Sequence, residues 1–364
     1  MKRTVSFVIA LLMTFSCLAF FASCSSGKIA MEYEGYSFSE GMYLYWMKNW
    51  KGYYVQNYSD VVDSEEFWQA LNGAGVTNAA YITEQIETRI KYYLVAQKLF
   101  DEYGLKLDQD TLDSIDEDID SAVEYYGSKG AFNDYLREEY GINISTLKTI
   151  YTAEEKYTAV YDHLYNNTSG VKTATPAELE AYYREYYVRV KYVMFFKDVK
   201  YAYDEDGNII TDSSGRYTFE DLTEEEKQEV VETVNSVYED VKNGGDIGIY
   251  MSEYNTEFGY NESDYPNGFY ISADDYVTHT ALVTSAALEM DIGEVRLIDG
   301  DACYYVLQKF DLIDNAYAAT PDSNQFSYLL SYCNNEKFSI EFNGYADDVI
   351  TYTDITSQYT VNKV

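Results

Sequence analysis

The run Val188-Arg189-Val190-Lys191-Tyr192-Val193-Met194-Phe195-Phe196 alternates at first and then becomes wholly apolar, which reads as a core strand. Just before it, Thr175-Pro176-Ala177-Glu178 supplies an N-cap, a proline at the first helical position and a glutamate at the third. These predict a helix running through Tyr187. Just after it, Asp204-Glu205-Asp206-Gly207-Asn208 resembles a calcium loop in composition only, because its glycine comes too early and no closing glutamate follows. A hairpin turn at Asp206-Gly207 is expected there. Thr223-Glu224-Glu225-Glu226 is a second capping box, and Val230, Val231, Val234, Val237, Tyr238 and Val241 form the apolar stripe of the helix it opens. Gly244-Gly245 ends that helix. A tyrosine-rich loop region to about Tyr265 leads to Asn267-Gly268-Phe269-Tyr270-Ile271, then to a short helix around Val283 to Leu288. Gly293-Glu294-Val295-Arg296 and a last strand over Ala302 to Lys309 complete an α+β unit of roughly 130 residues.

The flanks are helical in style. Ile29 to Phe38 reads as a short hairpin turning at Glu34-Gly35, and helical spacing takes over from about Ser39. Trp46 and Trp50 are four apart and share a helical face, either as a packing stripe or as an aromatic surface for a polypeptide client. The clearest helix runs from about Asn78 to Tyr103, with Ile82, Ile86, Ile90, Tyr93, Leu94 and Phe100 at three- and four-residue steps and Gly104 as its stop. Further helices are expected over Gln109 to Tyr126, Ala131 to Glu139 and Ser145 to Tyr165. Gly73-Ala74-Gly75 lacks the third glycine of a dinucleotide fingerprint and reads as a helix stop. After the central unit, Gln325 to Asp347 returns to helix, and a Thr/Val-rich tail closes the chain.

Of 364 residues 62 are acidic and 26 basic, a net charge of −36. Duplex affinity comes largely from Lys and Arg neutralising phosphates, so an electrostatically driven nucleic-acid binder is excluded. With 46% hydrophobic residues and 42 tyrosines, a disordered acidic tail is excluded too. Only 3 prolines occur where average usage gives roughly 18, so long uninterrupted elements are available.

Met1-Lys2-Arg3 and the mostly apolar run from Val5 to Phe21 have the charged and apolar regions of a secretory signal, or of an uncleaved anchor at the lower length limit for crossing a bilayer. Phe21-Ala22-Ser23-Cys24, followed by Ser25-Ser26-Gly27-Lys28, resembles the lipobox of bacterial lipoproteins, with Phe21 where leucine is usual. That resemblance implies removal of residues 1–23, lipid on Cys24, and a body held outside the cytoplasmic membrane. The exported chain then has 24 bases against 62 acids, a charge of −38. Cys17 leaves with the signal, and Cys303 and Cys333 remain, either as one disulfide or as two buried thiols.

Taken together, Val188 to Met194, Gly244-Gly245-Asp246, Ala286-Ala287-Leu288 through Gly293-Glu294-Val295, and Tyr304-Tyr305-Val306-Leu307 resemble the exported parvulin-type foldases, the SurA- and PrsA-like chaperones. The resemblance implies an α+β chain. Its mostly helical chaperone arm comprises residues 24–170 and a C-terminal helix and tail over 312–364, with a parvulin-like α/β domain inserted at about 176–311. It also implies a four-stranded sheet with the first and last strands adjacent, no cofactor, and unfolded or partly folded exported polypeptides as partners. Where the family has two histidines this chain has Tyr192 and Tyr305, the positions carried over as catalytic. The apolar cup that grips the proline ring maps to Asn267, His279 and Val283, where the family prefers Leu, Met and Phe.

Prolyl isomerisation needs no nucleophile, because its barrier of about 18–20 kcal/mol is amide resonance that desolvation and twisting can lower. An active isomerase therefore stands as the alternative to a degenerate domain kept for binding. A ligand- or carbohydrate-binding surface lipoprotein is a further alternative. No Cys-x-x-Cys or His-x-x-x-His supports a metal site, and no nucleophile elbow or Walker loop occurs. His163 reads as a packed or surface residue. The carboxylates Asp113, Asp116, Glu117, Asp118 and Asp120 read as a solvated helix face.

Overall fold

A computed structural model describes residues 27–255, 259–273 and 280–364. The signal segment, Cys24 and His279 lie outside the described residues. The chain is α+β and divides into two compact units, one made of residues up to Thr173 with Asn335–Val364, the other of Ala174–Asn334. Among the described residues no helix is long and apolar enough to cross a membrane.

The first unit begins with a hairpin of β1 (Ile29–Tyr33) and β2 (Tyr36–Ser39), turned by Glu34 and Gly35, both at positive φ. Ser39 then accepts from the Met42 amide and caps α1 (Glu40–Asn57). After the short α2 (Glu65–Gln69) come α3 (Asn78–Glu102), α4 (Gln109–Tyr125), α5 (Lys129–Tyr140) and α6 (Ile144–Tyr165). The isoleucine ladder of α3 is buried as its spacing predicts, with Ile82, Ile86, Ile90 and Leu94 in the core. Trp46 is wholly buried against Phe38 and Tyr93 at ring separations of 4.6 and 5.3 Å, and Trp50 is half-buried with the Arg89 guanidinium 5.2 Å over its ring. The stripe is therefore packing, and the exposed-surface alternative for Trp46 is corrected.

In the second unit the capping box at Thr175 and Glu178 forms as expected and starts α7 (Pro176–Tyr186). It leads straight into β3 (Tyr187–Phe196). A small insertion follows, with β4 (Val199–Tyr201) pairing antiparallel to β5 (Phe219–Asp221). Inside it, Gly207 takes positive φ in the expected hairpin turn, and Asp204 accepts from the Asp206 and Asn208 amides. The second capping box opens α8 (Glu224–Lys242). The stretch after Gly244-Gly245, expected as loop, folds instead into α9 (Ile247–Tyr254), because the Asp246 side chain caps the Gly248 amide. Then come β6 (Phe269–Ser272), α10 (Ala281–Glu289), β7 (Val295–Asp299) and β8 (Cys303–Phe310). The Gly293-Glu294-Val295 element thus opens a strand of its own, with Gly293 at positive φ and its amide donating to Lys309 O.

These strands form one antiparallel sheet in the order β6-β3-β8-β7, so the first and last long strands are central neighbours. Val193, Phe195, Val306 and the stripe of α8 fill one core, and a satellite core collects Tyr183, Tyr187, Tyr270, Phe326 and Leu329. The returning helix α11 (Leu329–Ala346) starts four residues later than expected, after a 3-10 turn over Asp322–Phe326. The tail adds β9 (Ile350–Thr351), which pairs with β1 to give the order β2-β1-β9, and a last turn α12 (Thr353–Thr356). Cys303 and Cys333 are both buried thiols, which decides against the disulfide.

Candidate functional site

The register of β3 on β8 sets Tyr192 opposite Leu307 and Met194 opposite Tyr305. Tyr192 and Tyr305 are therefore diagonal neighbours on one face, close enough for long side chains to touch. Their rings meet edge to face at 6.2 Å. Phe269 of β6 lies 4.9 Å from Tyr192, Tyr260 lies 6.1 Å from it, and Tyr265 packs on Phe269 at 4.7 Å. The result is a floor of rings. Burial, reinforced by the neighbouring tyrosines, raises the Tyr192 hydroxyl well above its ordinary pKa. Burial likewise raises Tyr305, whose hydroxyl also meets Cys303 and Thr280. Neither phenol serves as an acid or base near neutrality.

Helix α10 lies on this face. Thr280 caps it by accepting from the Val283 amide, and Val283 sits in the same core as Tyr192 and Tyr305. Lys309, on the Tyr192 side of β8, donates to the carbonyl of Met290 at 2.6 Å. A cation there satisfies carbonyls left open at the end of a helix and pins α10 to the sheet. Asn267 is engaged elsewhere. Its Nδ2 donates to Asp322 at 2.9 Å and its carbonyl accepts from Arg189 at 2.8 Å, while Tyr270 OH donates to the same Asp322 carboxylate. Of the three cup positions, then, Val283 joins the two tyrosines, Asn267 is tied to the satellite core, and His279 is outside the described residues.

One residue of this site was not anticipated from the sequence. Asn255 is wholly buried; its Nδ2 donates to Tyr192 O at 2.7 Å, and its Oδ1 accepts from the Met194 amide at 3.0 Å. β6 pairs with β3 only as far as Val190, so Asn255 occupies the edge where that strand stops. Buried backbone groups must be paired, and a carboxamide carries both a donor and an acceptor. An asparagine at the end of a short, unexpected helix carries no signal by itself.

Elsewhere, in the helical unit, a cavity of about 410 Å³ is lined by Asp110, Ser114, Asp118, Tyr151, Glu154 and Glu155. Glu154 Oε1 accepts from Trp46 Nε1 at 2.7 Å. Burial raises its pKa to about 7, against the opposing pull of that hydrogen bond and of Arg89. Among the described residues no group of side chains is arranged to hold a metal ion.

The chain matches no protein-family model and no curated protein. Among solved structures it is similar to the foldase protein PrsA of Streptococcus pneumoniae, at 14% identity over 76% of this chain and 90% of that one, with a TM-score of 0.24. It is also similar to PrsA of Bacillus subtilis, at 15% over 81% and 93% with a TM-score of 0.23. A third is the foldase protein PrsA of Lactococcus lactis, at 12% over 92% and 100% with a TM-score of 0.24.

Proposed function

We propose that this protein is a lipid-anchored extracytoplasmic chaperone that binds unfolded exported polypeptides, and that its parvulin-like domain, at about 176–311, serves binding rather than prolyl isomerisation. The observation that carries the reading is the ring-filled floor around Tyr192 and Tyr305. The sheet has the order the resemblance implies. Tyr192 and Tyr305, which the resemblance carries over from the family histidines, are two buried phenols in a cluster of rings with Phe269, Tyr260 and Tyr265. Gripping a proline ring and twisting its amide need an open apolar cup, and rings already packed on one another leave binding as the retained role.

The chain's abundant tyrosine suits a client surface, since a phenol offers large contact area with a wet end and little rotamer entropy to lose. The purified chain without residues 1–23 should suppress aggregation of a reduced, unfolded client at near-stoichiometric ratios. A folded preparation that gives no suppression overturns the reading. A proline-peptide assay should give background rates for the wild type, Tyr192→Phe and Tyr305→Phe alike, and a wild-type rate above background that falls in either variant establishes the isomerase instead. Cys24→Ala should move the protein from the membrane fraction to the soluble one, and unchanged retention removes the lipid anchor from the proposal.

A further inference from the structure

Four residues along β3 from Tyr192, the insertion makes a second, separate apolar feature. Phe196, Val199, Tyr201, Tyr203 and Leu222 line a groove of about 190 Å³, with Lys200, paired to Glu226, as its one charged lining residue. For scale, an apolar cavity of about 150 Å³ admits a benzene molecule. There is room for one aromatic or large aliphatic side chain. Its wall residues Phe196 and Tyr201 stand ring to ring with each other and with the neighbouring Phe219 at 5.0 to 5.7 Å. Its rim is open, because Tyr203 is 43% and Phe219 46% exposed, and Tyr217 adds a further exposed ring.

Charge says what kind of chain fits. Residues 197–232 hold twelve acids and four bases. Three of those bases are already engaged, Lys197 by Asp299, Lys200 by Glu226, and Lys227 by Asp198 and Glu224. Glu220 and Asp221 on β5 are exposed. An apolar slot inside an acidic field attracts a cationic partner and repels an acidic one, which gives selectivity as well as affinity.

We propose that this groove is a docking site for extended polypeptide segments that insert one aromatic or large aliphatic side chain and carry Lys or Arg beside it. The proposal rests on the reading of the protein as a binder of unfolded chains and names the class of segment it prefers. Three labelled ten-residue peptides test it by fluorescence anisotropy on the chain without residues 1–23: a central Phe flanked by lysines, a central Phe flanked by glutamates, and a central Ser flanked by lysines. At low salt the Phe-lysine peptide should bind at least tenfold more tightly than either control. Tyr203→Ala should weaken it about tenfold, and the pair Glu220→Gln with Asp221→Gln about threefold, with a shallower salt dependence.

Equal affinity for the two Phe peptides, equal affinity for the two lysine peptides, or no effect of Tyr203→Ala overturns the proposal. So does sedimentation showing a second copy of the chain on the groove, seen as a dimer lost in Tyr203→Ala. If Tyr203→Ala does not fold, the three peptides on the wild type and the double variant decide alone. Aggregation suppression that persists without any peptide preference sinks this docking site and leaves the chaperone reading standing. Absent suppression alongside the stated peptide preference does the reverse.

Discussion

In the helical unit several buried aromatic side chains both pack on other rings and end on a carboxylate or an amide, whereas around Tyr192 in the sheet unit ring-on-ring packing makes the floor. Tyr43 donates to Glu87, Tyr92 to Asn343, Tyr165 to Glu341, and Trp46 to Glu154, all at 2.6 to 2.7 Å. Tyr192 instead meets Tyr305, Phe269 and Tyr260. The same residue type thus does two jobs in one acidic chain. In the first unit the hydroxyl keeps a partly buried acid supplied with a donor, which lets a chain with 62 acids fold a tyrosine-rich core. In the ring floor around Tyr192 the ring supplies volume.

Removing volume from the ring-filled floor should have the largest effect. Phe269→Ala is expected to destabilise the protein by about 3–5 kcal/mol in denaturant unfolding, since a large aromatic leaves a cavity its neighbours only partly fill. A loss below about 1 kcal/mol would mean that the rings are not closely packed, and would erase the contrast with the helical unit.

Next in size is the pH dependence of the Trp46–Glu154 pair. The folded pKa of Glu154, about 7, lies above its ordinary value of 4.5, so the folded state holds the proton more tightly. Stability from this group is therefore fully present below pH 4.5 and is lost as pH rises through about 7, by about 3 kcal/mol for a shift of that size. Glu154→Gln keeps an acceptor for Trp46 without the charge. Its unfolding free energy should lack this slope and exceed that of the wild type above pH 7.5. Identical slopes for the two proteins would show that Glu154 is not a protonated acid in the folded helical unit.

Smaller again is Asn255→Ala, expected to cost about 1–3 kcal/mol because it strands buried backbone groups of Tyr192 and Met194. Hydrogen exchange at the Met194 amide should speed up selectively, and unchanged protection would show that another group holds that edge. Smallest should be Tyr192→Phe, which keeps the ring contacts and shifts unfolding by less than about 1 kcal/mol. A larger loss would put Tyr192 with the hydroxyl-pinned tyrosines of the helical unit.

Much of this architecture was legible because its signals are local. Capping boxes at Thr175 and Thr223, the isoleucine ladder of α3 and the apolar run of β3 each lie within one element and report one period. α9 was hidden because a double glycine and a run of tyrosines look like loop, although Asp246 was there as its cap. β9 pairs with β1 across the whole length of the chain, and two residues hold no period to read. The two tyrosines were expected together only through the family resemblance, and the register of β3 on β8 brings their rings edge to face. The bond from Asn267 to Asp322 was not legible, because it joins two loops distant in sequence whose approach depends on the packing of Tyr270 and Phe326.

Asn255 also has a bearing on how a client could bind. An exposed strand edge invites an incoming extended chain to add itself as another strand, using main-chain hydrogen bonds that ignore sequence. At this edge the Tyr192 carbonyl and the Met194 amide, two of the groups such a chain would use, are already taken by one carboxamide. The stretch of β3 beside the ring floor is thereby blocked against strand addition, which leaves main-chain recognition in this sheet to its outer strands β6 and β7.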